Sequence, residues 1–192
     1  MIQIVVSGVV SDCVFSHVHK GINYYKLKLH CKRLSGTEDI LPVTLSEAAL
    51  AGVRGCEKIL VHGNVMTRDI GEKLELYVQA HQVYKHRNTD DVNHVMGTGF
   101  LVKKNTVRVT SQTNRTLLNF ILASNGKHGS SYIPTMAWNE FAVAISKVDI
   151  GEELTIIGRL QSRDYHKSGS GETKTTYELS IKYAEKGGRF IA

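Results

Sequence analysis

Apolar residues recur at every second position in several short runs, the period of a strand with one buried face. Ile2-Gln3-Ile4-Val5-Val6 is a β-branched run, and Tyr25-Lys26-Leu27-Lys28-Leu29-His30-Cys31 alternates apolar with polar. Leu118-Asn119-Phe120-Ile121-Leu122-Ala123 has the same texture later in the chain. Two prolines, Pro42 and Pro134, each precede a short Ala-rich stretch, Ser46–Ala51 and Asn139–Ile145. Ser46 and Asn139 are residue types that cap helices, so each stretch predicts one short helix. Two further strands follow each helix. They turn at Ile70-Gly71-Glu72-Lys73 in the first case and at the longer, polar Lys167–Lys174 in the second.

The same landmarks occur twice in the same order. Gly8 and Gly99 each precede an apolar pair, 91 residues apart, and Pro42 and Pro134 sit in similar tripeptides 92 apart. Gly63 and Gly158 lie within similar segments 95 apart, and Glu75 aligns with Glu178 at a separation of 103. An offset that grows along the chain predicts two copies of one fold, the second with longer loops. Five strands and a short helix in ~90 residues suit a small all-β Greek-key barrel of the OB type. The expectation is therefore two tandem OB barrels, residues 1–86 and 95–186, with Tyr84–Met96 as the connection.

Composition narrows the class. In 192 residues, 42% are apolar and 22% charged, and no stretch approaches the ~18 apolar residues of a membrane span. The N-terminal run lacks the basic region of a signal peptide. Cys13, Cys31 and Cys56 are odd in number and without a CxxC spacing, which fits reduced thiols in a cytoplasmic protein. Residues 1–96 hold 11 Lys and Arg against 10 Asp and Glu, whereas residues 97–192 hold 13 against 8. The basic second half favours a polyanionic partner.

The second copy also resembles a known family. Asn119-Phe120-Ile121-Leu122-Ala123, Glu152–Tyr165 with its Gly-Arg-Leu-x-Ser-Arg-x-Tyr core, and Thr175-Thr176-Tyr177-Glu178-Leu179 are similar to bacterial single-stranded DNA-binding proteins. The likeness spans roughly residues 97–185; the first copy joins it only through its alignment to the second. It implies OB-folds that wrap single-stranded DNA by aromatic stacking and basic contacts, four barrels per assembly, hence a homodimer here. No cofactor, metal or catalytic residue is implied. Trp138 and Tyr165 match the family's stacking aromatics, and a base–aromatic stack is worth roughly 1–3 kcal/mol. Arg159 and Arg163 alternate with Leu160 and Ser162 on a strand, so both can face away from the core. Lys103, Lys104, Arg108 and Arg115 near the first strands, and Lys167 and Lys174 flanking the hairpin, are candidates for phosphate contacts. Each has an ordinary alternative: Trp138 in a core or interface, Tyr165 closing a strand, the cations on a solvated face.

The pattern breaks in two places. The chain ends on Gly187-Gly188-Arg189-Phe190-Ile191-Ala192, without the polar linker and acidic tip that recruit replication and repair enzymes in the family. That departure raises an alternative, a primosome-type or mobile-element accessory acting through replication or recombination proteins. In the first copy, Leu45 or Ser46 stands opposite Trp138 and Ile70 opposite Tyr165, with Phe15, Tyr24 and Tyr25 as other surfaces. No phosphate loop, His-Glu-x-x-His helix or nucleophile elbow points to catalysis. Cys13, His17, His19, His30 and Cys31 lack the paired spacing of a zinc site. Stacking and phosphate contacts leave RNA open as a ligand.

Overall fold

Alternating strands close into two rings. The computed structural model describes residues 1–71, 73–111, 113–126, 129–166 and 173–192, and only the backbone of Lys73 and His166. In the first ring β1 (Ile2–His19) pairs with β2 (Ile22–Lys32), then come β3 (Glu38–Ser46), β5 (Lys73–Lys85) and β4 (Lys58–Ile70), which returns to β1. A short helix, α1 (Glu47–Ala51), separates β3 from β4. The second ring repeats the order with β6 (Asn93–Lys104), β8 (Thr116–Gly126), β9 (Gly129–Trp138), β11 (Thr173–Lys186) and β10 (Glu153–His166). α2 (Asn139–Ser146) separates β9 from β10 as α1 separates β3 from β4, and the extra pieces are β7 (Arg108–Val109) and β12 (Arg189–Phe190). These are two five-stranded OB barrels. Inward residues such as Ile4, Leu29, Leu41, Val61 and Val78 fill the first, and Leu101, Leu122, Ile133, Ile156 and Leu179 fill the second.

Strand register settles how the copies correspond. Gly63 pairs with Ile4 and Gly158 with Val95, which reproduces the offsets of 95 and 91. Pro42 pairs with Lys28 and Pro134 with Ile121. The Glu75–Glu178 landmark needs correction. Arg68 pairs with Glu75 and Arg163 with Thr176, so β5 and β11 are offset by 101, not 103. Glu75 therefore corresponds to Thr176, and Glu178 to Tyr77. The helix starts also differ from expectation. Ser46 caps α1, its hydroxyl accepting from the Ala49 amide at 3.3 Å, but Trp138 occupies the cap position of α2 with no side-chain bond. Asn139 is the first residue of α2, at φ +52°, a left-handed conformation that Asn tolerates better than most residues.

The connection is shorter than the sequence indicates, residues 86–92, because Tyr84 and Lys85 end β5 and Asn93–Met96 begin β6. It is fastened to the first barrel. The Lys58 ammonium donates to the Asn88 and Thr89 carbonyls, and Asp91 accepts the Lys32 amide. What joins the barrels is a ladder: β1 and β6 pair antiparallel from Ile2–Gly97 to Val6–Asn93. Ile4 and Val95 are equivalent positions and face each other at its centre, so a pseudo-two-fold axis passes between them. On the other side the barrels exchange matched hydrogen bonds. The Thr67 amide donates to Ser131 Oγ and the Tyr132 amide to Thr67 Oγ1; equivalently, the Ser162 amide donates to Asp39 Oδ1 and the Ile40 amide to Ser162 Oγ.

Gly63 and Gly158 each sit at a bulge where the neighbouring strand comes closest. A Cβ on Gly158 would overlap the Ser180 carbonyl, and one on Gly63 the Gln79 carbonyl. Backbone cannot swing aside, so Gly158→Ala is expected to lower unfolding stability by about 1–3 kcal/mol in urea titration. A change within ~0.5 kcal/mol, the ordinary surface range, would show that the ladder opens freely there.

Candidate nucleic-acid interface

The end of β9 carries Trp138 onto the outside of the second barrel, where it is half-buried. The Arg115 guanidinium lies over its ring, 4.6 Å from the centroid. Trp138 and Arg115 line a groove of about 320 Å³ with Phe141, Arg159 and Lys182. Arg159 is half-buried, and its Nε has no hydrogen-bond partner among the described residues. Burial, and then the Arg33 charge, push its guanidinium below the ordinary value. A cation so placed gains from any anion that enters the groove. Glu140 is the acidic residue on the rim.

A second groove, about 590 Å³, runs between the β4–β5 and β10–β11 hairpins. Tyr165, 45% exposed, stands there beside Tyr177 and Lys174, facing Ile70 and Leu74 from the first copy. Pro134 lines this groove and also a smaller pocket containing Lys103, which connects the two along β9. Arg163 is exposed beside the region shared with Lys28 and Arg33, 3.8 Å from the Glu178 carboxylate.

The remaining sequence candidates separate. Arg108 on β7 pairs with Leu117, which pairs with Trp138, so the three share one row of the ladder. Lys104 turns away from this face: its ammonium donates to the Ser146 and Val148 carbonyls and closes the end of α2. Lys167 lies outside the described residues. Sequence reasoning missed Lys182 in the Trp138 groove, Tyr177 in the hairpin groove and Tyr132, half-exposed on β9. Exposed aromatics on a strand read as ordinary sheet residues, and only the ladder shows which face they share.

The first barrel presents a different surface at the matching positions. Ile22, Ser46, Asn64 and His81 stand where the second has Arg115, Trp138, Arg159 and Lys182. The structure thus places Ser46, not Leu45, opposite Trp138, while Leu45 is core. Two of its outward cations are also engaged. Lys26 and Arg68 both bind Glu75, and Arg68 lies over Tyr77 at 5.1 Å. Burial pushes the Glu75 carboxyl up, but hydrogen bonds from Lys26 and Arg68 outweigh it and hold the group below its ordinary value. No group of three His, Cys, Asp or Glu among the described residues could hold a metal ion. None of the described helices is long and apolar enough to cross a membrane.

Residues 92–186, the whole second barrel, match the single-strand binding protein family. That barrel belongs to the single-strand binding protein family. Members of the family are binding proteins, not enzymes. No curated protein matches the chain by sequence. Among solved structures, the wild-type single-stranded DNA binding protein of Thermus aquaticus is similar at 21% identity, with a TM-score of 0.76 over 98% of this chain and 94% of that one. A deletion mutant of the same protein that also carries a point substitution matches at 20% identity and the same TM-score, over 97% of this chain and 94% of that one. These likenesses cover both barrels and establish the tandem fold.

Proposed function

We propose that the protein binds single-stranded DNA without strong sequence preference, mainly on the second barrel, in replication, recombination or repair in the cytoplasm. The observation that carries this reading is the Trp138 groove. An accessible indole offers a face to any unpaired base, and Arg115, Arg159 and Lys182 around it suit the adjoining phosphates. Tyr165, Tyr177 and Lys174 extend the path along the hairpin, with Lys103 and Arg163 beside it. Family membership supports the choice of single strands over duplex. The test is filter binding with oligo-dT, duplex and RNA of equal length. Oligo-dT is expected to bind best, and its affinity to fall about tenfold to a hundredfold between ~50 and ~200 mM salt as counterion release weakens. Equal affinity for duplex, or no salt dependence, would sink the reading.

The working assembly we propose is a homodimer of four barrels. The outer face of the sheet formed by β4, β5, β1, β6, β10 and β11 supports it. There Met96 pairs with Ile157, both exposed, and Tyr84 stands at the far edge. Two copies packed on this face would close symmetrically. Light scattering is expected to give roughly twice the 21.3 kDa chain mass; the chain mass itself at micromolar concentration would exclude the dimer. The β1–β2 hairpin favours a second role, contact with a replication or recombination protein, because Val14, Phe15 and Val18 are all exposed on it.

A further inference from the structure

One pocket on the second barrel is built for something other than stacking or phosphate contact. It encloses about 250 Å³ on the outer face of β8, β9 and β11, lined by Lys103, Asn119, Ile121, Pro134, Thr135 and Glu178. Asn119 Oδ1 is buried with no hydrogen-bond partner among the described residues. Glu178 is 7% exposed; its Oε1 accepts from Gln161 Nε2 at 3.1 Å. A buried acceptor without a donor costs about 1–3 kcal/mol, so the pocket favours a ligand that brings one. Asn119 Oδ1 and the Glu178 carboxylate are both acceptors and offer a phosphate nothing, which leaves the cations beside them, Lys103 and Arg163, as its partners there. Whichever way the Asn119 amide is turned, the carboxylate beside it only accepts. The first barrel has no counterpart. Lys26 and Tyr77 occupy the positions of Asn119 and Glu178, and the Lys26 ammonium is bound by Glu75.

We propose that this pocket reads the exocyclic amino group of one unpaired base, which favours cytosine or adenine over thymine at a single position of the bound strand. The inference rests on the single-strand reading above. Cytosine N4 and adenine N6 carry two hydrogens that Asn119 Oδ1 and the Glu178 carboxylate can accept, whereas thymine O4 would set a third acceptor against them. Lys103, which lines the same pocket, supplies a cation for the phosphate of that nucleotide. The broad preference of the protein stays weak because the other contacts are to ring faces and backbone.

The deciding experiment compares oligo-dC with oligo-dT of equal length at neutral pH, in wild type and in two variants. Stacking and flexibility differences between the polymers cancel when the dC:dT affinity ratio is compared across proteins. Asn119→Leu removes the acceptor from a half-exposed side chain; Glu178→Gln replaces the carboxylate by a neutral amide of the same shape. Each is expected to lower the ratio roughly tenfold, the usual discrimination of one good base contact. A ratio unmoved in folded Asn119→Leu, checked by circular dichroism, would overturn the subsite while leaving single-strand binding intact. If neither polymer binds the wild type, the broader reading fails, and the subsite with it. Should Glu178→Gln unfold, the Asn119 variant alone decides.

Discussion

Arg33→Met is expected to destabilise the protein by about 3–5 kcal/mol, the largest effect of any single substitution outside the apolar core. Asp39 is fully buried, and Arg33 holds it with two hydrogen bonds, Nε to Oδ2 at 2.7 Å and Nη2 to Oδ1 at 2.6 Å. Oδ1 also accepts the Ser162 amide, so this carboxylate ties the first barrel to the second. With methionine at position 33 the apolar volume is kept, but the carboxylate loses its ion pair and is left with the Ser162 amide and the Arg159 charge nearby. A buried carboxylate stripped of its guanidinium is far costlier than a lost surface ion pair. The equivalent contact across the pseudo-two-fold uses the neutral Ser131 and Thr67, which shows that the joint does not itself need a charge. Asp39→Asn combined with Arg33→Met should therefore recover much of the loss, since an amide oxygen can still accept from Ser162. Urea unfolding of the two variants and the wild type measures both effects. A loss below ~1 kcal/mol for Arg33→Met would mean that water reaches Asp39.

The architecture was legible where sequence pattern and barrel geometry coincide. Gly8 and Gly99, Gly63 and Gly158, and the two prolines lie inside strands whose close pairing fixes their place, so their offsets survive as register. The Glu75–Glu178 match failed because it joined similar letters across a hairpin that is longer in the second copy, while the true partner of Glu75 is a threonine. The β1–β6 ladder was not legible at all. Ile2, Ile4 and Val6 read as a strand of the first barrel and Val95 as part of the connection, and alternation says nothing about which strand lies beside which. Within the candidate site, the family resemblance pointed to Trp138 and Tyr165, and strand alternation to Arg159 and Arg163. Lys104 illustrates the limit: a lysine after an apolar run reads as a surface cation, and only the fold shows it closing a helix end. Lys182 was hidden for the opposite reason, because its strand carries it to the groove from a distant part of the chain.

Trp138→Ala is expected to weaken oligo-dT binding by about 1–3 kcal/mol, roughly 5- to 150-fold, with little change in melting temperature. The chain has one tryptophan, so its fluorescence reports this site alone, and it should fall as DNA is added. The Arg115 guanidinium already covers part of the ring, which gives the experiment a second axis. If a base replaces the guanidinium, Arg115→Ala uncovers the indole, and the lost phosphate contact is partly offset by easier stacking. If the base takes the other face, the guanidinium stays as the second layer of a sandwich, and Arg115→Ala removes that layer without removing a phosphate contact. The salt dependence separates these, because removal of a phosphate contact lowers the slope, whereas removal of a purely stacking layer does not. The equivalent substitution in the first barrel, Ser46→Ala, should leave affinity unchanged and cost about 1 kcal/mol of stability through the lost cap of α1. Equal losses of affinity from Trp138→Ala and Ser46→Ala would show that both barrels share the strand. A lowered melting temperature with fluorescence unmoved by DNA would return Trp138 to a packing role and shift the site to Phe15, Tyr24 and Tyr25 on the β1–β2 hairpin, where Phe15 and His17 already contact the two tyrosine rings.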